Sequence, residues 1–383
     1  MAIYFIQVLL IALLGYGFKP NESCKGRRNF ILCTFILLTI ISGFRAYSVG
    51  ADTGVYVNIY NSIEYIQIDN QRFEPGFIIY LKILHWFSND PGFLLIISSI
   101  ICIGTTCLFV NKLSLNPTLS MLLYILMGGY FSQMNIMRQA LGIALCEFAF
   151  MLVLPEAEDS TWRRKLIAFG LIVSSYYFHK IVIVSLIPFL FLIHRKRFEI
   201  IGLFSRKLDD EQREGGSAKR IIIRVLLVAI IVFITYRYLV GILERYLSAY
   251  YRGYLYGAWS DENYGASLVS TLITLVYAVA GILTLRNTEF DSVKRFSVIM
   301  VSTTLLFSIL SMRMEIWSRI ASMFSMYTYI CLAPEIVENI VNEKNRRIVH
   351  FGMIGFGLLY MLVVLVFRPE WSSVVPYLLR IGK

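Results

Sequence analysis

The sequence has 383 residues and a formal net charge of +11 at pH 7, yet only 16% of its residues are charged and 57% are hydrophobic. Apolar runs of bilayer length recur along the chain, which excludes an ordinary water-soluble globular protein. The six cysteines lie in or beside these runs without C-x-x-C spacing. They therefore indicate neither a zinc site nor a disulfide framework.

The apolar runs predict an all-α, polytopic integral membrane protein with about twelve transmembrane helices and short amphipathic interfacial helices. The sequence has no repeat of 20–50 residues and no low-complexity tract, so we expect a single multi-span domain over residues 1–383. The first helix lacks a basic leader and a small-residue cleavage site, and we expect it to be retained. The predicted helices are 3–18, 30–46, 92–111, 117–132, 135–154, 165–178, 181–194, 220–241, 267–285, 296–312, 316–333 and 348–367.

The distribution of basic residues predicts the orientation of these helices. Most of the 36 Lys and Arg residues fall in or beside alternate loops. The positive-inside rule places those loops in the cytoplasm and both termini outside. The longest of them, the basic loop 195–219, is best explained as an anchor at anionic lipid, so we expect no nucleic-acid partner. The cytoplasmic loops are 19–29, 112–116, 155–164, 195–219, 286–295 and 334–347.

Two longer segments fall on the opposite, extracytoplasmic side. Residues 47–91 form a loop that contains an amphipathic helix, which begins after Glu74 with Pro75 at the first helical position. Its apolar residues are typical of a helix lying at a membrane surface. The second segment, 242–266, is rich in Tyr, which favours an aromatic belt at the interface and also allows stacking on sugar rings.

Charged and polar side chains from several segments meet on this predicted outer side. Guanidinium forks bind phosphate oxygens in pairs, so arginines at lipid depth suit a phosphorylated lipid headgroup. A histidine or carboxylate beside them could take a proton from an attacking hydroxyl. The sequence has no D-x-D, P-loop, H-E-x-x-H or G-x-S-x-G motif, and we expect neither a metal nor a cofactor. The residues concerned are Arg45, Asp52, Glu74, Arg138, Gln139, His179, Lys180, Arg313 and Arg319.

Four short motifs occur in order in the first half of the chain: Arg45, Gly50, Asp52 and Tyr56, then Glu74 to Phe77, then Asn135, Arg138 and Gln139, and finally Phe178 to Lys180. They resemble the motifs of the Wzy-type polysaccharide polymerases, specifically the EpsG-like branch. The resemblance covers residues 40–195 in order, whereas the later half shares only hydropathy and the turn containing Arg313 and Arg319. Ile181 departs from the small or hydroxyl residue common after the F-H-K motif.

The resemblance implies a GT-C-like glycosyltransferase of the bacterial cytoplasmic (inner) membrane with its active site on the extracytoplasmic side. Its donor and acceptor would be oligosaccharide repeat units on undecaprenyl pyrophosphate, with a chain-length regulator as a candidate partner. Pyrophosphate binding is implied for Arg45, Arg138, Arg313, Arg319 and Lys180. A catalytic role is implied for His179, Asp52 and Glu74, and sugar contact or orientation for Gln139, Tyr56 and Asn135.

Three other functions fit the same hydropathy. An O-antigen ligase would use the same donor, but it usually carries one large outer loop late in the chain. A flippase or transporter of lipid-linked sugars should place its charges at mid-bilayer depth in broken or repeated helices, whereas the charges here cluster near one surface. A purely structural membrane subunit is the third alternative. We therefore favour the polymerase.

Overall fold

The computed structural model describes residues 1–68, 72–154, 160–193, 264–285 and 291–380, with a few isolated residues between 222 and 288. All the regular elements within these ranges are helical, as predicted. The predicted helix 220–241 and the loops 195–219 and 242–266 lie wholly or mostly outside the described residues.

The chain divides into two compact units, Met1–Leu186 with Val341–Lys383, and Ile187–Ile340. The first unit thus contains both ends of the chain. The prediction of one domain over 1–383 stays a prediction.

The first unit is built from long apolar helices and shorter segments between them. Prolines begin four of the helices. The side chains of Asp90 and Asn116 cap α5 and α6 by accepting from Gly92 N at 2.8 Å and Leu119 N at 3.0 Å. The helices are α1 (Ala2–Phe18), α2 (Cys24–Gly43), α3 (Thr53–Asn61), α4 (Pro75–Phe87), α5 (Pro91–Leu113), α6 (Pro117–Leu126), α7 (Gly129–Asn135), α8 (Met137–Val153) and α9 (Trp162–Ser175), then α15 (Glu343–Leu362) and α16 (Pro369–Ser372). Short 3₁₀ helices, Ile63–Tyr65 and Lys180–Ser185, and a π-helix, Val363–Phe367, complete the unit.

The second unit contains α10 (Leu186–Ile193, from its second residue), α11 (Tyr264–Leu285), α12 (Ser292–Ser311), α13 (Glu315–Tyr327) and α14 (Ala333–Glu338). A π-helix, Thr328–Leu332, joins α13 to α14, so the two form one continuous rod. Asp291 begins α12 by accepting hydrogen bonds from Val293 N and Lys294 N.

Six helices in the described ranges are long and apolar enough to cross a membrane, and three shorter apolar helices accompany them. The six are Cys24–Gly43, Pro91–Leu113, Ser267–Leu285, Ser292–Ser311, Glu315–Glu338 and Glu343–Phe367. This agrees with a multi-pass membrane protein, while the predicted number of twelve stays a prediction.

One predicted span is interrupted, and the interruption shapes the site. The segment predicted as a helix over 117–132 ends at Leu126, because Gly128 adopts a left-handed conformation with φ +84°. A second break at Ile136 separates α7 from α8. Asn135 and Arg138 therefore lie on either side of a turn, where their side chains can reach different neighbours.

A helix begins after Glu74 as predicted, namely α4 with Pro75 at its first position, and its location at the membrane interface stays a prediction. Phe77, Leu81 and Leu84 are buried, whereas Trp86 is 84% exposed. The helix therefore packs one apolar face on the unit and presents an aromatic residue outward, as an interfacial helix would.

Candidate functional site

Arg138 and Glu74 form an ion pair at the start of two helices, α8 and α4. Arg138 Nη1 lies 2.6 Å from Glu74 Oε2, and Glu74 is only 8% exposed. The guanidinium carbon also lies 4.9 Å from the centre of the Phe73 ring. Glu74 is thus compensated by a charge-assisted hydrogen bond, and Arg138 is held between a carboxylate and an aromatic ring.

Tyr56 adds a third partner for Arg138. Its side chain is 3% exposed and hydrogen-bonds the guanidinium. Burial raises the pKa of Tyr56 to about 12, although the charge of Arg138 acts in the opposite direction. Tyr56 therefore stays a neutral hydroxyl at any physiological pH. Asp52, the residue before α3, lies one helical turn away and acts electrostatically on Tyr56.

The tripeptide Glu74-Pro75-Gly76 packs closely against the segment that follows α9. A Cβ at Gly76 would lie 2.7 Å from the carbonyl oxygen of Tyr177, so the close approach of the two backbones requires glycine. Phe77 N donates to that same carbonyl at 3.2 Å. Lys180 N donates to Glu74 Oε1 at 3.4 Å. The turn before the 3₁₀ helix is thereby joined to the start of α4.

His179 and Lys180 lie on this turn, next to Glu74. His179 N donates to Ser175 O at 3.0 Å, which places the half-buried imidazole at the end of α9, and Lys180 is exposed. The structure thus brings together six of the predicted site residues. We call them the Arg138 cluster: Asp52, Tyr56, Glu74, Arg138, His179 and Lys180.

Arg45 lies in the segment before Asp52, and its guanidinium is buried inside the protein. Its side chain is 1% exposed, and its guanidinium donates to the carbonyl oxygens of Ser42 at 2.5 Å, Val49 at 3.3 Å and Met134 at 3.0 Å. Burial lowers its pKa to about 10, so it stays charged at neutral pH. These contacts favour a role in holding the chain in place, and its predicted role in binding pyrophosphate stays a prediction.

Asn135 and Gln139 flank Arg138 on the α7–α8 turn. Asn135 Oδ1 accepts from Ala51 N at 2.9 Å, while its Nδ2 donates to Ser372 O. Gln139 is buried, at 2% exposure. Asn135 therefore connects the segment before Asp52 with the C-terminal segment. The contact of either residue with a sugar stays a prediction.

Arg313 and Arg319 belong to the second unit. Arg313 lies in the turn between α12 and α13, where its N donates to Leu310 O at 2.9 Å, and Arg319 lies on α13. Both side chains are half-buried. Their participation in the same site as Arg138 stays a prediction.

Sequence reasoning missed the partners that position these residues. It singled out Arg138 and Glu74 without pairing them, and it gave no role to the C-terminal residues. Opposite charges in separate loops give no spacing signal, because only the tertiary fold sets their distance.

A family model described as EpsG family matches residues 28–379. The match extends beyond the 40–195 range of the sequence resemblance and includes the C-terminal segment. No curated protein and no solved structure matches the chain.

Proposed function

Because this chain belongs to the EpsG family, a Wzy-like polymerase family, we propose that it is a polysaccharide polymerase that joins repeat units carried on undecaprenyl pyrophosphate. The activity would be a glycosyl transfer without a metal ion. The observation that supports it best is the Arg138 cluster, in which a guanidinium is held by Glu74 and Tyr56, and Glu74 also binds the backbone N of Lys180, the residue after His179.

Arg138 is the group that we assign to the pyrophosphate. Glu74, Tyr56 and the Phe73 ring fix the guanidinium from three directions, which leaves little conformational entropy to be lost when an anion binds. Among the described residues its Nε is a buried donor without a hydrogen-bond partner. A phosphate oxygen would satisfy such a donor. Lys180, exposed on the adjacent turn, would supply a second positive charge.

The reaction proposed for this cluster is a substitution at the anomeric carbon of the donor. The acceptor hydroxyl oxygen forms the new glycosidic bond, and the bond from the anomeric carbon to the pyrophosphate oxygen breaks. The electron pair leaves on the pyrophosphate, where Arg138 and Lys180 neutralise the developing charge. A base of the protein takes the proton of the acceptor hydroxyl.

The contacts of Glu74 separate the three candidate bases. Both of its oxygens face donors, namely Arg138 Nη1 and Lys180 N, so we assign Glu74 to the orientation of Arg138. Asp52 and His179 are then the candidates for proton removal. Asp52→Asn and His179→Ala should be compared under single-turnover conditions. Loss of turnover with unchanged donor affinity would identify the base.

We further propose that the Arg138 cluster faces the extracytoplasmic side of the bacterial inner membrane, in a GT-C-like arrangement of about twelve spans. Labelling of single cysteines introduced at positions 52 and 180 with a membrane-impermeant reagent tests the sidedness. Labelling of either position only after the membrane is opened would contradict it.

The decisive experiment is a glycan profile of a strain from which the gene has been deleted. A polymerase predicts single repeat units on the lipid carrier. Full-length polymer retained on the carrier would indicate a ligase, and units trapped inside the cell would indicate a flippase. Purified protein with lipid-linked units should then form polymer in the presence of a chelator, and inhibition by the chelator would contradict the proposed metal independence.

A further inference from the structure

We infer that residues 372–380, here called the C-terminal strap, are a positioning element that fixes the loop 44–53 and with it Asp52. The contact between strap and loop is read directly from the fold. Its consequence for catalysis rests on the proposed function.

Three backbone hydrogen bonds join the strap to the loop. Ala46 N donates to Leu378 O at 2.8 Å, Arg380 N donates to Phe44 O at 2.8 Å, and Gly50 N donates to Ser373 O at 2.7 Å. Arg45 and Leu379 form an isolated antiparallel bridge at the same place. The strap therefore supplies the acceptors that two amides of this non-helical loop require.

The same loop is held by side chains from the rest of the unit. Arg45 binds Val49 O, and Asn135 binds both Ala51 N and Ser372 O. Asn135 thus links the loop directly to the residue that begins the strap. Asp52 follows Ala51 immediately, so its position depends on this link.

The backbone geometry leaves the loop little freedom between these contacts. Gly50 has φ +99°, and a Cβ there would lie 2.6 Å from Thr53 Oγ1 and 3.0 Å from Asn135 Oδ1. A side chain at this position would be strained as well as crowded. The G-x-D spacing of Gly50 and Asp52 therefore belongs to a loop conformation that the strap and Asn135 stabilise.

The strap itself is anchored to three other elements of the first unit. Tyr4 donates to Val374 O and Tyr377 donates to Ile41 O, each at 3.0 Å. Arg380 Nη2 lies 3.8 Å from Asp90 Oδ2, and its guanidinium carbon lies 5.7 Å from the centre of the Tyr47 ring. Because the strap is anchored along its length, it can hold the loop in a fixed position.

The first test is hydrogen exchange, which needs no assumption about activity. We compare the full chain with a chain ending at Trp371 and with a control ending at Arg380, which keeps the whole strap. The amides of Ala46 and Gly50 should exchange at least tenfold faster in the first truncation and at the normal rate in the control. Equal protection in all three proteins would overturn the inference, whatever the protein polymerises.

A point substitution covers the case in which the truncated chain does not fold. Asn135→Asp keeps an acceptor for Ala51 N but replaces the donor to Ser372 O with a second acceptor. Asn135→Ala removes both bonds. If the strap positions the loop, Asn135→Asp should also expose the Gly50 amide to faster exchange. Normal exchange in Asn135→Asp would show that the strap contact is dispensable and overturn the inference.

The catalytic consequence is tested by separating turnover from binding. The chain ending at Trp371 and the Asn135→Asp variant should each displace Asp52. Their kcat should fall about tenfold or more, because misplacement by an ångström is costly in a preorganised site. Affinity for undecaprenyl pyrophosphate, held at Arg138, should change less than twofold. Faster exchange with unchanged kcat would overturn the positioning role. Absence of polymerisation by the full chain would contradict the proposed function and leave the exchange result to decide the strap.

Discussion

Arg138 Nη1 contacts Glu74 Oε2 at 2.6 Å across 64 residues of sequence, and this ion pair joins the starts of α8 and α4. Glu74 is nearly inaccessible and Arg138 is half-buried, so neither charge is compensated by bulk water alone. Breaking such a pair by removing one partner leaves a buried charge behind. Any substitution of Arg138 must therefore be interpreted for stability and for activity separately.

Arg138→Ala should abolish polymer formation and also destabilise the protein by about 3 kcal/mol, because it leaves Glu74 charged and buried. The double variant Arg138→Ala with Glu74→Gln should recover most of that stability and none of the activity. Thermal unfolding in detergent and chain length on gels measure the two effects. Normal chain lengths in the double variant would refute the role of Arg138 at the pyrophosphate.

Tyr56→Phe should reduce turnover about tenfold, since one hydrogen bond to a charged group is removed while the packing against Phe77 is kept. Because burial raises the pKa of Tyr56 to about 12, its hydroxyl is neutral across the working range. The pH profiles of the variant and the parent should therefore have the same shape between pH 6 and about 9. If the pH profile of Tyr56→Phe lacks a rise or fall that the parent shows, the hydroxyl of Tyr56 is a titrating base.

Gly76→Ala should damage the site more than its size suggests. The added Cβ would lie 2.7 Å from Tyr177 O, a backbone atom that cannot rotate away. The turn containing His179 and Lys180 must then separate from the start of α4, at a cost of about 1–3 kcal/mol. We expect lower thermal stability and lower activity together.

Gly170→Ala is the matched control, because among the described residues no atom beyond its chain neighbours and its own helix backbone lies within 4 Å of the added Cβ. It lies on α9, where alanine favours the helix by up to about 1 kcal/mol. Equal effects of the two substitutions would show that the approach of Tyr177 to Gly76 does not constrain the site.

Periodicity and capping residues were sufficient to predict most of the described helices. Apolar runs of bilayer length indicated α1, α5 and α11, and the Glu-Pro pair located the start of α4 correctly. These signals are local, so they survive in the sequence alone. The break after Leu126 depends on the left-handed conformation of Gly128, and a glycine in an apolar run does not by itself reveal that conformation.

The sequence was sufficient to select candidate residues for the site, but it could not distinguish the role of one residue from that of another. Arg45 and Arg138 look equivalent as isolated arginines near helix ends. Their difference lies in their neighbours, since three carbonyl oxygens surround Arg45 whereas a carboxylate and a tyrosine face Arg138. Carbonyl groups are present at every position of the sequence, so nothing in it marks those that converge on Arg45.

Arg45→Lys tests that difference. A lysine keeps the charge but cannot donate in three directions as a planar fork. We expect a loss of about 2 kcal/mol in stability, because the hydrogen bonds to Val49 O and Met134 O are lost. Unchanged stability with weaker binding of undecaprenyl pyrophosphate would instead support the role in pyrophosphate binding that the sequence predicts.

A second buried carboxylate, Glu147, has hydroxyl partners where Glu74 has an arginine. Its Oε1 lies 3.0 Å from Thr106 Oγ1, which in turn lies 3.1 Å from Cys102 O and 3.2 Å from Gln133 Nε2. The hydroxyl of Tyr124 donates to Gln133 Oε1 and thereby turns the amide nitrogen towards Thr106. Thr106 can donate its single hydrogen to Glu147 or to Cys102 O, and its oxygen accepts from Gln133 Nε2.

Glu147→Gln should be tolerated, because the amide oxygen of glutamine can accept from Thr106 as the carboxyl oxygen of Glu147 does. We expect the free energy of unfolding to change by less than about 1 kcal/mol. Glu147→Ala should cost about 2–4 kcal/mol, since it leaves a cavity and removes a partner of Thr106. Thermal unfolding of both variants in the same detergent measures the difference. If Glu147→Gln is as destabilising as Glu147→Ala, the hydrogen bond from Thr106 does not account for the contribution of Glu147 to stability.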